Sequence, residues 1–120
     1  MLINLSNHPY SKWSVDQTEA ANRFGGGIVD LPFPIVDPSA DEDHVAALAD
    51  IYCAKVMEIA NGQPVTVHIM GEMTLTFALV RKLQEISITC VAATTRRETI
   101  DYAEGRKESV FRFVRFREYL

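Results

Sequence analysis

The chain has little cysteine. Cys53 and Cys90 are the only two in 120 residues, and both sit inside apolar patterns. No Cys/His spacing suits zinc, so the thiols read as small core residues of a reducing compartment. Basic charge is also scarce: 12 Lys and Arg face 16 Asp and Glu, for a net charge of -4. That balance argues against duplex nucleic acid as a partner, since such binders carry a basic excess. It leaves room for a small anion held by a few donors. No apolar run reaches the roughly 18 residues of a membrane span, and no cleavable leader opens the chain, so a soluble cytoplasmic protein without membrane contact is expected. The phosphate loop G-x-x-x-x-G-K-[ST], the dinucleotide fingerprint G-x-G-x-x-G and the hydrolase elbow G-x-S-x-G are all missing. No dinucleotide cofactor and no metal is therefore expected, and any catalysis would depend on positioning.

What is present is an ordinary globular composition, 48% apolar and 23% charged. The length makes one domain, residues 1–120, and suffices to bury a core unaided. Residues 1–5 read as a strand. Ser14 to Gln17 fits a capping box, and Gly25, Gly26 and Gly27 end the helix that follows. Residues 28–31 read as a second strand, and Pro32, Pro34 and Pro38 as a rigid loop. Ser39 to Glu42 fits a second capping box. Behind it Val45, Leu48, Ala49, Tyr52, Cys53, Val56 and Ala60 recur at helical spacing, and Gly62 closes that helix. Residues 65–70 are β-branched and apolar, as in a strand covered on both faces. Gly71 and Glu72 open a third helix through Met73, Phe77, Val80 and Leu83, and residues 88–94 form a fourth strand. Residues 98–102 and 109–117 read as a hairpin around Glu104 to Lys107. In "VFRFVRF", Phe111 and Phe113 share a face that Phe116 leaves, unless a bulge near Val114 restores the alternation.

The order β-α-β-α-β-α-β plus a hairpin predicts a three-layer, Rossmann-like α/β sandwich, mostly parallel, with an antiparallel edge. In open sheets of this kind ligands bind beyond the carboxyl ends of the strands, where strand order reverses. That rule selects Ser6, Asn7, His8, Pro9 and Tyr10 after the first strand. It also selects Met70 to Thr74 after the third and Thr94 to Arg97 after the fourth. Gly71 lets the backbone turn closely into a helix start, which attracts anions. Thr74 adds a hydroxyl, Arg96 and Arg97 carry forks that match phosphate, and His8 can move a proton. Tyr10 or Trp13 can stack on a base.

Each residue also has a plainer reading. His8 before Pro9 suits a turn as well as a site. His68, mid-strand among apolar residues, suits a satisfied core histidine. Glu72 suits a first-turn acid, Trp13 a core anchor, and Arg112, Arg115 and Arg117 a solvated face that protects an edge.

Three segments taken together, "INLSNHP", "VHIMGEMTLTFALVRKL" and "VAATTRR" with the closing "VFRFVRFREY", resemble the small stand-alone proteins of type III CRISPR systems. Those have a CRISPR-associated Rossmann-like (CARF-like) fold and bind or cleave cyclic oligoadenylates. The resemblance implies a two-fold homodimer with the ring-shaped ligand across its axis, and a metal-independent ring nuclease serving antiviral defence. It assigns His8 as general acid or base and Arg96 as the group that stabilises phosphate charge. Ser6, Asn7, Gly71, Glu72, Thr74 and Thr95 would bind the ligand. Glu72 departs from this picture, because a carboxylate facing inward would repel a phosphate. Two other readings stand beside the phosphodiesterase: a sensor or sponge that binds the same ligand without turnover, and an interaction module that pairs through its C-terminal strand.

Overall fold

Leu2, Ile3 and Leu5 are wholly buried although they are near neighbours on one strand. Alternate side chains on a strand point to opposite faces, so both faces of this strand are covered. The structure, a computed structural model, describes residues 1–120. The first strand, β1 (Leu2–Ser6), pairs in parallel with β2 (Ile28–Pro32) on one side and with β3 (Thr66–Met70) on the other. With β4 (Thr89–Asp101) and β5 (Lys107–Glu118) the sheet order is β2-β1-β3-β4-β5, and only β5 is antiparallel. The predicted α/β architecture is the one observed, and strand order reverses between β1 and β3.

Three helices complete the layers. On one face, α2 (Glu42–Ala60) and α3 (Met73–Glu85) cover Ile3, Leu5, Val67, Ile69 and Cys90. On the other, the short α1 (Val15–Asn22) and Trp13 cover Leu2 and Val91. Ser14 caps α1 as expected, its hydroxyl accepting from the Gln17 amide at 3.2 Å. The second helix starts later than Ser39. Asp37 takes both the amide and the hydroxyl of Ser39, at 2.9 and 2.8 Å, and Asp41 is left to cap α2 through the His44 amide. A nearby carboxylate won a competition that spacing alone does not resolve. No helix is long and apolar enough to cross a membrane.

The largest departure lies in β4. The expected fourth strand and the first strand of the hairpin are one continuous element. It pairs with β3 only from Thr89 to Val91 and thereafter with β5 alone. At about 3.3 Å per residue, the ten residues beyond Val91 form a two-stranded arm roughly 30 Å long. The bulge expected near Val114 is present: Thr94 pairs with Arg115 and Thr95 with Phe113, so Val114 has no partner. Phe111, Phe113 and Phe116 thereby fall on one face, and the rings of Phe113 and Phe116 are 5.1 Å apart.

Candidate functional site

The polar residues of β1 and β3 are not spread at random. Asn4, Ser6 and His68 sit on the same face as Leu2, all three are buried, and they are bonded to one another. The Asn4 amide is the node. Its Nδ2 donates to Asp30 Oδ1 at 2.8 Å and to the His8 carbonyl at 2.9 Å. Its Oδ1 accepts from Ser6 Oγ at 2.7 Å and lies 2.9 Å from His68 Nδ1. An amide oxygen can only accept, so the proton of neutral His68 is on Nδ1. Burial pushes the His68 pKa down to about 4, and its Nε2 faces no donor. The His68 ring meets Trp13 and Phe116 edge-on, at 5.5 and 5.4 Å between centroids.

This network pins the loop after β1. The His8 carbonyl also accepts from Trp13 Nε1 at 3.1 Å, and the His8 amide donates to Ser6 Oγ at 3.2 Å. Asp30 Oδ1 holds the Tyr10 amide at 3.2 Å. Ser6 is therefore spent on structure, while the exposed His8 is held by its backbone. His68 is the core histidine expected, though only half satisfied, and Trp13 is the expected anchor.

A cleft of about 500 Å³ opens between this pinned loop and the aromatic face of the arm. His8, Lys12, Trp13, Asp16 and Gln17 line one wall, and Thr95, Phe111 and Phe113 the other. Its size is ordinary for a small-ligand site. Phe111 is 65% exposed at its rim. Arg97 pairs with Phe111 across the strands and so shares the aromatic face, its guanidinium donating to Ser109 Oγ.

The residues expected to form one site are distributed. His8 and Thr95 share this cleft. Ser6 and Asn7 border a smaller hollow with Asp30, on the far side of the loop. Residues 94–97, expected as a loop beyond a strand, are mid-strand in the arm. Thr95 and Arg96 therefore leave on opposite faces, and Arg96 stands on the other side of the ribbon from His8. Gly71 lines a third concavity, along α3. The start of α3 is closed to an anion by its own chain: the Glu72 carboxylate accepts from the amides of Thr74 and Leu75 and from the Thr74 hydroxyl. The Leu75 amide first, then the two Thr74 donors, hold the Glu72 carboxyl below its usual range. Glu72 is thus the first-turn acid that one reading expected, and Thr74 is committed to it.

Sequence reasoning missed the plug in the crevice between β1 and β3. Phe33 is buried, and its amide donates to the Ser6 carbonyl at 3.1 Å. Its ring lies over Gly71 so closely that a Cβ there would stand 2.5 Å from ring carbons. It also missed Lys12, whose only signal was its place between Tyr10 and Trp13. No group of three or more His, Cys, Asp or Glu side chains is gathered to hold a metal. Cys53 and Cys90 are free, and burial pushes the Cys90 thiol up to about 12, as for an inert core residue.

No curated protein and no solved structure matches the chain. A family model does, from residue 1 to residue 117, and on that match the chain belongs to the uncharacterized protein MJ1673 family.

Proposed function

We propose that the cleft between the pinned β1 loop and the arm binds a cyclic oligonucleotide of the oligoadenylate class. The observation that carries this reading is one concave surface with the aromatic rings of Phe111 and Phe113 on one wall and Lys12 and His8 on the other. Bases stack on aromatic faces in a sequence-tolerant way, and a cation opposite them suits the phosphates between bases. Arg97, on the aromatic face, takes the phosphate role first assigned to Arg96. Cleavage follows if His8 draws a proton from a ribose 2'-hydroxyl aligned with its neighbouring phosphate: the 2'-oxygen bonds to phosphorus, the P–O5' bond breaks, and the 5'-oxygen leaves with a proton from water, giving a linear product ending in a 2',3'-cyclic phosphate. A fixed His8 backbone with a free ring suits that role. A homodimer would bring two such clefts to one ring.

Labelled cyclic oligoadenylates of several sizes, incubated with the protein in EDTA, test the proposal on paired native and denaturing gels. A native shift with linear products supports cleavage, and His8→Ala should then abolish the products while leaving affinity within a few fold. A shift with intact rings supports a sensor or sponge. No shift with any ring refutes the ligand.

A further inference from the structure

The bulge at Val114 gives the arm a second face. Arg96, Arg112, Arg115 and Arg117 project from it, opposite the phenylalanines. All four are exposed. Arg96 and Arg112 are directly paired across the strands, an arrangement that costs stability unless an anion sits between them. Glu98 answers Arg112, while Arg96 and Arg117 have no acidic partner in the chain. Three arginines of one row without an acidic partner are unexpected in a protein of net charge -4.

The row leads to an apolar groove. Tyr119 continues β5, its amide N–H donating to the Cys90 carbonyl at 2.9 Å, and its hydroxyl donates to the Ile69 carbonyl at 2.7 Å. It lines a concavity of about 440 Å³ with Met70, Met73, Phe77 and Leu120. Met73 is 83% exposed and Phe77 65%. Exposed apolar surface of this kind marks an interaction site, and methionine adapts to varied partners. Arg81, on the same helix, stands over the Phe77 ring and lines the groove, which adds a cation to it.

We infer that the α3 groove and the arginine face of the arm are one docking surface for an acidic amphipathic helix of another protein. A nucleic acid would use the arginines and leave Met73 and Phe77 in water. A small organic acid would use the groove and Arg81 and leave the row unanswered. From Tyr119 to the Arg96 and Arg112 pair is roughly 20 Å along the strand, the length of a helix of about 14 residues. Such a helix seats its apolar stripe in a groove and presents its acids to the flanking arginines.

The test is fluorescence anisotropy with a labelled helical peptide of about 16 residues, leucines at i, i+3, i+4 and i+7 and glutamates on its flanks. Binding is expected in the micromolar range and to weaken with salt. Arg115→Glu with Arg117→Glu, and separately Phe77→Ser, should each weaken it roughly tenfold or more. Both sites are exposed, and circular dichroism checks that the variants fold. Four results overturn the inference. One is no binding at about 100 μM peptide, well above the range such a surface should reach. Another is equal binding of a peptide with lysine in place of glutamate. The third is displacement by a single-stranded oligonucleotide. The last is a self-association, seen by sedimentation, that the same substitutions dissolve.

Discussion

Gly71→Ala tests whether the crevice above β1 and β3 is truly closed by Phe33. The backbone at Gly71 has no positive φ, so alanine meets no conformational penalty. Alanine even narrows the unfolded ensemble, worth about 0.4–1 kcal/mol in its favour. Against this stands one contact: the new Cβ would lie 2.5–2.6 Å from three Phe33 ring carbons. Relief by a small shift of the ring costs about 1–3 kcal/mol, as overpacking does elsewhere. Full expulsion of the ring is bounded by the cost of a buried Phe→Ala change, about 3–5 kcal/mol. The net expectation is a loss of about 1–2 kcal/mol, read as a lower urea midpoint with an unchanged slope. In a Phe33→Ala background the same substitution should be neutral or slightly stabilising. A loss of equal size in both backgrounds, or no loss in either, refutes the claim that the ring and the glycine are a matched pair.

His68 predicts a pH dependence. Its folded pKa is about 4 against an ordinary 6.5, so the unfolded chain takes up a proton in that window while the folded chain does not. Stability from this group is whole above pH 6.5 and falls as pH drops toward 4, by up to roughly 3 kcal/mol. Urea midpoints of His68→Gln should lack that slope; a parallel profile counts against it. Asn4→Asp sets a carboxylate against Asp30 and the His8 carbonyl, and should cost about 3 kcal/mol at pH 7.5. The cost should shrink at pH 5.5, where the new carboxylate favours protonated His68, and a cost independent of pH would be wrong for this network. Phe111→Ala should leave the free energy of unfolding within about 0.5 kcal/mol and weaken oligoadenylate binding by about 1–3 kcal/mol. Titration of the folded variant with unchanged affinity removes Phe111 from the site.

The alternation of elements was legible because α2 and α3 carry apolar stripes, a capping box and three glycines bracket α1, and the inner strands are mostly apolar. Even the bulge was legible, since Phe116 would otherwise leave the aromatic face. The arm was not. Residues 92–97, Ala-Ala-Thr-Thr-Arg-Arg, carry no buried stripe, because past Val91 that ribbon no longer has the helical layers on both faces. The Asn4 node left a trace: a buried amide, hydroxyl and imidazole at alternate positions of two apolar strands. Three polar groups on one face imply that they satisfy one another. The Phe33 plug left none, since a phenylalanine between two prolines reads as punctuation until the chain folds it back over Gly71.

Val114 acts on the arm as a change of parity. On its tip side even-numbered residues carry arginine and odd-numbered ones phenylalanine; on its base side the assignment is reversed. One unpaired residue thus sorts a mixed string into a ring-lined face and a guanidinium face. Drawing it into the ladder as a regular paired residue would send Arg115 and Arg117 among the rings and Phe116 to the opposite side, away from His68 and Trp13, whereas deleting it would leave both faces as they are. Neither surface can be altered by a shift of register without altering the other, so the two faces of the arm are inherited as one unit.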